Sequence, residues 1–295
     1  MNGLTAAVAL RWVARVVLPA AVATCGLLLV GCSGDAGGAE AAAESPPAPA
    51  ASKDLDRVVN IDGDRGLYVR CTGTGSPTVV MEGGDGDTSD SYAFAEPSIA
   101  KVTRTCVYDR ANLGRSGADP GPRGLEDLVG DLERLLDVAE IPGPFVLVGT
   151  SGGGYITAGY AFANPEQVAG MVFVDTASPF RNPPPEIVEE TDPNSPANVE
   201  RRDYLQVEKD SWAARQEVGD IPVSIVTVEF SAAAIRESPF PSERAAMRAN
   251  VENQKGWLVL SPRAEQVVVN TGHAVEEDDP GLVIEEILGV VEAAR

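Results

Sequence analysis

The sequence predicts an α/β fold in which helices cover both faces of a mostly parallel β-sheet. Two observations support this class. Short apolar segments rich in valine alternate with helical segments, as in chains whose parallel strands are joined by helices. The chain has 295 residues, of which 44% are hydrophobic and 23% charged, so it is long and apolar enough for one large globular domain.

The predicted elements begin with a hairpin, in which residues 57–61 and 67–71 flank a turn of Asp and Gly residues. Leucines and valines at helical spacing between residues 125 and 136 predict an amphipathic helix. Residues 145–148 predict a buried strand, which is followed by a helix that ends near Phe162. Further strands are predicted at residues 78–81, 103–108, 171–175, 223–228 and 266–270, before a closing helix from residue 281 to the C terminus.

Residues 178–220 interrupt this alternation of strands and helices. The segment is first rich in proline and then acidic, with a predicted helical region around residues 199–218. An insertion of this size between two sheet strands is interpreted as a small lid over the functional site, with a plain surface excursion as the alternative.

The N-terminal residues are not expected to belong to the domain. Arg11 and Arg15 precede an apolar stretch that ends in L-V-G-C, which resembles the lipobox of bacterial lipoproteins. Residues 1–31 are therefore predicted to be a lipoprotein signal peptide, and Cys32 to be lipidated as the first mature residue. An ordinary signal peptide and an uncleaved membrane anchor are the alternatives.

Residues 32–54 are rich in Ala, Pro, Gly and Ser, and are predicted to form a flexible tether, since they cannot bury a core. The domain then covers residues 55–295. Acyl chains on Cys32 would attach the exported protein to the outer face of the bacterial cytoplasmic membrane. The expected location is therefore the cell envelope, with the membrane as a partner through the lipid anchor.

Two cysteines, Cys71 and Cys106, remain within the predicted domain. An even pair in an oxidising compartment favours a disulfide bond, provided that the two strands carrying them are neighbours. Two separate buried thiols are the alternative.

The charge and the histidine content exclude several classes of function. The 44 acidic residues exceed the 23 basic residues and give a net charge of -21, whereas a nucleic-acid partner requires clustered Lys and Arg. The single histidine, His273, argues against a zinc centre with several imidazole ligands, and no phosphate-binding loop is visible. We therefore expect no nucleic-acid partner, no metal ion and no cofactor.

The most informative motif is a glycine-rich turn, G-T-S-G-G, at residues 149–153. A G-x-S-x-G sequence between a strand and a helix forms a sharp turn that presents the serine hydroxyl. The hydroxyl of Ser151 needs an adjacent base to act as a nucleophile at neutral pH, and His273 is the one imidazole in the chain. A serine without a catalytic role in a glycine-rich turn is the alternative.

Three motifs, which follow one another along the chain in the order typical of the family, resemble the α/β-hydrolase superfamily. The likeness covers about residues 55–295. The motifs are the turn at residues 149–153, the Y-D-R-A-N-L-G-R-S loop at residues 108–116, and T-G-H at residues 271–273. In the loop, Asn112 stands where the family often has glycine. The resemblance implies an α/β-hydrolase fold with a small lid between strands 6 and 7, and it places the strand of Cys71 beside that of Cys106.

The resemblance also implies a serine hydrolase that cleaves a small-molecule, ester-like substrate through an acyl-enzyme. Ser151 would attack the carbonyl carbon, and His273 would accept the hydroxyl proton and pass it to the leaving group. The alternatives are a cofactor-free perhydrolase or a carbon–carbon bond hydrolase with the same triad, and a surface binding protein whose triad has decayed.

The resemblance leaves the acid of the triad open. Relatives usually carry it just after the seventh strand, near Ser231 in this chain, and a serine cannot serve. Asp175, at the end of the sixth strand, is the preferred candidate, and Glu229, at the end of the seventh, is the alternative.

Two backbone N–H groups, those of Gly152 and Asp85, are implied as the oxyanion hole. We expect the carboxylate of Asp85 to point to solvent, because it would oppose the negative charge that develops on the substrate.

Overall fold

The computed structural model describes residues 54–179, 188 and 191–295. The predicted signal peptide, Cys32 and all but the last residue of the predicted tether lie outside these residues. Residues 180–187 and 189–190 of the predicted lid lie outside them as well. Within the described ranges, none of the helices has both the length and the apolar character that a membrane span requires.

Eight strands form one sheet in the order β1-β2-β4-β3-β5-β6-β7-β8. The strand β2 pairs antiparallel with β1 and β4, and every other neighbouring pair is parallel. This mostly parallel sheet confirms the predicted fold class. The strands are β1 (Leu55–Asp62), β2 (Arg65–Thr72), β3 (Thr78–Glu82), β4 (Thr105–Tyr108), β5 (Phe145–Thr150), β6 (Val168–Val174), β7 (Val223–Val228) and β8 (Ala264–Val269).

Helices connect these strands in the described part of the chain. They are α1 (Glu96–Ile99), α2 (Leu125–Val138), α3 (Gly153–Ala163), α4 (Tyr204–Ala213), α5 (Ala232–Glu237), α6 (Pro241–Gln254), α7 (Val275–Asp278) and α8 (Pro280–Ala293). The helical region predicted at residues 199–218 is therefore restricted to α4. The helices α5 and α6, between β7 and β8, were not predicted, because their sequences have no continuous apolar stripe.

The core lies on both faces of the sheet, as β5 illustrates. Its side chains alternate, so that Phe145 and Leu147 join the core under α2 and α3, whereas Val146 and Val148 join the core under α1 and α8. A strand buried on both faces needs an uninterrupted apolar run, which explains the sequence of residues 145–148. The strand β5 therefore runs through the centre of the core, and its last residue lies at the carboxyl edge of the sheet.

The disulfide predicted between Cys71 and Cys106 is present in the structure. The two residues lie opposite each other in the antiparallel pair of β2 and β4, with their Cα atoms 4.1 Å apart, and both side chains are buried. The alternative of two separate thiols is therefore excluded. The bond joins the antiparallel part of the sheet to its parallel part.

We expect the double variant Cys71→Ala/Cys106→Ala to lose about 4 kcal/mol of unfolding free energy, the chain-entropy value for a closed loop of this length, 35 residues in sequence separation. Urea unfolding of both proteins measures this loss. A thiol reductant should lower the stability of the wild type and leave that of the double variant unchanged. Equal stability of wild type and variant without reductant would contradict the prediction.

Candidate active site

The turn between β5 and α3 holds Ser151 in a left-handed conformation, with φ of 47°. Two glycines make this turn sterically accessible. A Cβ atom on Gly149 would lie 2.5 Å from the Cα atom of Gly154, and a Cβ atom on Gly154 would overlap the hydroxyl of Thr176. The turn therefore requires both glycines, and it presents the serine at the carboxyl edge of the sheet.

Three side chains that the sequence singled out meet at this edge. The Nε2 atom of His273 lies 2.9 Å from the Oγ atom of Ser151, and its Nδ1 atom lies 2.7 Å from Oδ2 of Asp175. Ser151, Asp175 and His273 follow β5, β6 and β8, which are parallel, so their carboxyl ends converge on one crevice. The result is a continuous hydrogen-bonded chain from hydroxyl to carboxylate.

The carboxylate of Asp175 is 1% exposed, and its second oxygen is held by three donors. The Oδ1 atom accepts from Nε2 of Gln254 at 2.6 Å, from Nδ2 of Asn250 at 2.9 Å and from the backbone N–H of Val228 at 3.1 Å. These bonds compensate for burying the carboxylate and leave Oδ2 to His273. The aspartate is therefore fixed before any substrate arrives.

Asn250 and Gln254 were not predicted as residues of the site. Both are buried, and they lie four residues apart on one face of α6, so their amides point in the same direction. The sequence shows two amide residues four positions apart. It does not show that the helix packs them against the end of β6, where they meet Asp175.

The alternative acid, Glu229, does not reach His273. Its side chain is exposed at the end of β7, and its backbone N–H donates to the carbonyl of Val269. The Nδ1 atom of His273 is already bonded to Asp175, so the structure brings Asp175, and not Glu229, to the imidazole.

The hydrogen bond to Asp175 raises the pKa of His273 above its ordinary value of 6.5. Burial acts in the opposite direction, whereas the negative charges of Asp175, Glu276 and Asp85 raise this pKa further. The imidazole side chain is 54% exposed, so it remains accessible to a substrate in the crevice.

The loop that follows β3 passes directly beside Ser151. A Cβ atom on Gly84 would lie 3.6 Å from the Cβ atom of Ser151. The backbone N–H groups of Gly152 and Asp85 donate to no acceptor within residues 54–179, 188 and 191–295. Two donors are therefore available next to the hydroxyl.

The carboxylate of Asp85 is partly exposed, as expected, but it also has a partner that the sequence did not predict. It is 38% exposed and forms an ion pair of 2.8 Å with the Nη1 atom of Arg202, whose side chain is completely buried. The Nη2 atom of Arg202 donates to the carbonyl of Gly152 at 3.0 Å. The carboxylate lies so close to Gly152 that a Cβ atom on this residue would overlap it. Neutralisation by the buried guanidinium explains how an aspartate is accommodated at this position.

A second buried cluster lies beneath the same loop and was also missed. Arg110 forms ion pairs with Glu82 at 2.5 Å and with Glu200 at 2.8 Å, and Tyr108 donates to Glu82. Burial raises the pKa of Glu82. Burial acts in the same direction on Glu200, but the charge of Arg110 outweighs it and lowers the pKa of Glu200 to about 2.

The residue that departs from the family's loop motif, Asn112, adopts φ of 69°. This left-handed conformation suits glycine and is tolerated by asparagine. The side chain also donates to the carbonyl of Glu200 at 3.1 Å and accepts from the N–H of Asp119 at 2.8 Å. Asparagine can therefore occupy a position whose backbone conformation favours glycine.

Comparison with known proteins agrees with this architecture. Residues 77–222 match the family model described as alpha/beta hydrolase fold. The uncharacterized protein YqjL of Bacillus subtilis is 24% identical over 238 residues, covering 78% of this chain and 89% of YqjL. The protein named Probable transporter efuK, of Hormonema carpetanum, is 27% identical over 292 residues, which cover 78% of this chain but only 42% of efuK.

Solved structures show the same fold at low identity. An esterase from Thermogutta terrifontis superposes with a TM-score of 0.58 at 19% identity, covering 82% of this chain and 99% of the esterase. An enol-lactonase from Burkholderia xenovorans gives a TM-score of 0.61 at 14% identity, covering 79% of this chain and 99% of the lactonase. Together with the sheet order, the family match over residues 77–222 shows that this chain has the α/β-hydrolase fold.

The single histidine allows a direct test of the contact with Asp175. In protein without a histidine tag, the one imidazole should titrate by NMR with a pKa above 6.5. The variant Asp175→Asn removes the charge that stabilises the imidazolium, so its pKa should fall below that of the wild type. The control Glu229→Gln should titrate like the wild type, and a shift as large as that of Asp175→Asn would assign the acid to Glu229.

Proposed function

We propose that this protein is a serine hydrolase that cleaves ester-like substrates through an acyl-enzyme. The observation that carries the proposal is the hydrogen-bonded chain from Ser151 through His273 to Asp175. The Oγ atom of Ser151 attacks the carbonyl carbon while Nε2 of His273 accepts its proton and then delivers it to the leaving group. Asp175 holds the N–H at Nδ1 in place and stabilises the imidazolium.

The oxyanion that forms in this step is stabilised by the N–H groups of Gly152 and Asp85. Each donor of this kind contributes about 3 kcal/mol to lowering the barrier. The N-terminus of α3 lies next to Ser151 and adds a favourable dipole. The ion pair with Arg202 limits the repulsion between the carboxylate of Asp85 and the oxyanion.

Deacylation uses the same groups, with a water molecule in place of the hydroxyl. His273 must be neutral to accept a proton in either step. Since its pKa is raised, kcat/KM should increase with pH through that raised pKa, not through 6.5. The acidic limb of the pH profile then reports His273.

Two alternatives to ester hydrolysis are a binding protein with a decayed triad and a different reaction of the same triad. The hypothesis of a decayed triad depended on the lack of an acid after β7, and the contact between Asp175 and His273 removes this support. Perhydrolysis and carbon–carbon bond hydrolysis use the same side chains, and the identity of the products decides between them and ester hydrolysis.

We also propose that the protein is exported and anchored by lipid at Cys32 in the bacterial cell envelope. The proposal is supported by the signal-peptide pattern of residues 1–31 and the tether composition of residues 32–54. A disulfide such as Cys71–Cys106 is typical of proteins in oxidising compartments.

A fluorophosphonate probe tests the nucleophile. The folded wild type should be labelled covalently, and Ser151→Ala should not, because the reactive hydroxyl is gone. Ser231→Ala is the matched control, since Ser231 is an exposed serine at the N-terminus of α5, and this variant should be labelled like the wild type. The proposal would be abandoned if folded wild type were not labelled.

Nitrophenyl esters of increasing chain length test the acid and the substrate class. We expect Asp175→Asn to lower kcat by about 10⁴-fold, because an asparagine favours the wrong imidazole tautomer. Glu229→Gln should keep the wild-type kcat. Hydrolysis of no ester by a protein that still takes the fluorophosphonate would point to the perhydrolase or carbon–carbon hydrolase alternatives.

A further inference from the structure

The peptide that joins Gly84 to Asp85 is held at its carbonyl end by a buried arginine. The Nη2 atom of Arg110 donates to the carbonyl oxygen of Gly84 at 2.6 Å, and the N–H of Asp87 donates to the same oxygen at 3.1 Å. In a planar trans peptide the N–H points opposite to the C=O. The bond from Arg110 therefore sets the direction of the Asp85 N–H, which is one of the two proposed oxyanion donors.

Arg110 is itself fixed, since its guanidinium is 3% exposed and has an acceptor for each of its five N–H bonds. The acceptors are Oε2 of Glu200 for Nε, Oε1 of Glu82 and the Gly83 carbonyl for Nη1, and Oε1 of Glu200 and the Gly84 carbonyl for Nη2. A lysine has three donors on a flexible stem and cannot reproduce this pattern.

Glu200 holds the peptide on the other side of Asp85. Its Oε1 atom accepts from the backbone N–H of Gly86 at 2.6 Å and from the hydroxyl of Tyr204 at 3.0 Å. Arg110 and Glu200 are joined by two hydrogen bonds of 2.8 Å each. This ion pair therefore restrains both peptide planes that flank Asp85.

The second proposed donor is held in a comparable way. The N–H of Gly152 belongs to the peptide whose carbonyl is that of Ser151, and this carbonyl accepts from Oγ1 of Thr176 and from the N–H of Gly154, both at 3.1 Å. Both donor peptides are thus restrained at their carbonyl oxygens, but only that of Asp85 is bonded to a cation.

We propose that Arg110 is a positioning residue for the oxyanion hole, which it orients together with Glu200 by fixing the Gly84–Asp85 peptide. The cation at the carbonyl oxygen also polarises this peptide and makes its N–H a stronger donor to the oxyanion. The inference rests on the proposed hydrolase function. Arg110 touches no reacting atom and acts through the Asp85 N–H, whose bond to the oxyanion is stronger than its bond to the ground-state carbonyl.

Arg110→Lys tests this inference because it keeps the charge and loses the five-donor pattern. Removing an oxyanion donor outright costs about 10² to 10³ in kcat, so we expect a decrease of about 10- to 100-fold in the folded variant. The KM for a nitrophenyl ester should change by less than about 2-fold, since the ground-state carbonyl needs the donor less. The pKa of His273 from the pH profile should stay at the wild-type value.

Arg123→Lys is the matched control. Arg123 is also 3% exposed and paired with a carboxylate, that of Asp131, but its side chain contacts neither the loop after β3 nor the turn at Ser151. Both lysine variants should lose stability in urea unfolding, and only Arg110→Lys should lose kcat. Equal kcat losses in the two variants would show that loosened packing, and not the oxyanion donor, is responsible.

Glu200→Gln provides the second variant if Arg110→Lys does not fold. It has the same shape, keeps an oxygen for the Gly86 N–H and loses the ion pair with Arg110. We expect kcat to fall by about 5- to 20-fold at unchanged KM, and a trifluoromethyl ketone, which forms an oxyanion on Ser151, to bind more weakly by the same factor.

These measurements distinguish a failure of the proposed role of Arg110 from a failure of the proposed hydrolase function. If the wild type is labelled and hydrolyses esters while the folded Arg110→Lys or Glu200→Gln variant keeps the wild-type kcat, the role of Arg110 is overturned alone. If the folded wild type is neither labelled nor active, the proposed function itself has failed.

Discussion

The steric constraint of the turn at Ser151 determines the arrangement of the whole site. A serine can adopt φ of 47° between β5 and α3 only where the flanking chain has no Cβ atoms, as at Gly149 and Gly154. The same absence of side chains lets the loop after β3 approach the turn, since a Cβ atom on Gly153 would overlap the carbonyl of Gly83. Close backbone packing thus brings the hydroxyl and two N–H donors into one small volume.

The position of the proposed acid follows from what occupies the region after β7. Ser231, where relatives usually carry the acid, is the N-cap of α5, and its hydroxyl accepts from the N–H of Ala234 at 3.1 Å. The chain then continues into α6, whose buried amides bind the carboxylate at the end of β6. A helix cap therefore occupies the usual place of the acid, and the following helix, α6, supports Asp175 at the end of β6 instead.

Much of this architecture could be predicted from local sequence. The strand at residues 223–228 was predicted to the residue, and three motifs brought Ser151 and His273 into one hypothesis. The polar contacts that hold the site could not be predicted, because they join distant positions: Arg110 and Glu200 are 90 residues apart, and Asp175 and Gln254 are 79 apart. Glu200 lies in an acidic segment, and its composition alone favours a solvated surface, whereas the fold buries it.

The contacts of the segment between β6 and β7 limit how this segment can move when a substrate enters. Glu200 bonds to Arg110 and to the backbone of Gly86, and Arg202 bonds to Asp85 and to the backbone of Gly152. These ion pairs and hydrogen bonds attach the segment to the loop after β3 and to the turn at Ser151. Moving Glu200 and Arg202 away would break the contacts that hold the two proposed oxyanion donors. Because Glu200 and Arg202 are themselves buried, we expect this part of the segment to stay in place while a substrate enters the crevice.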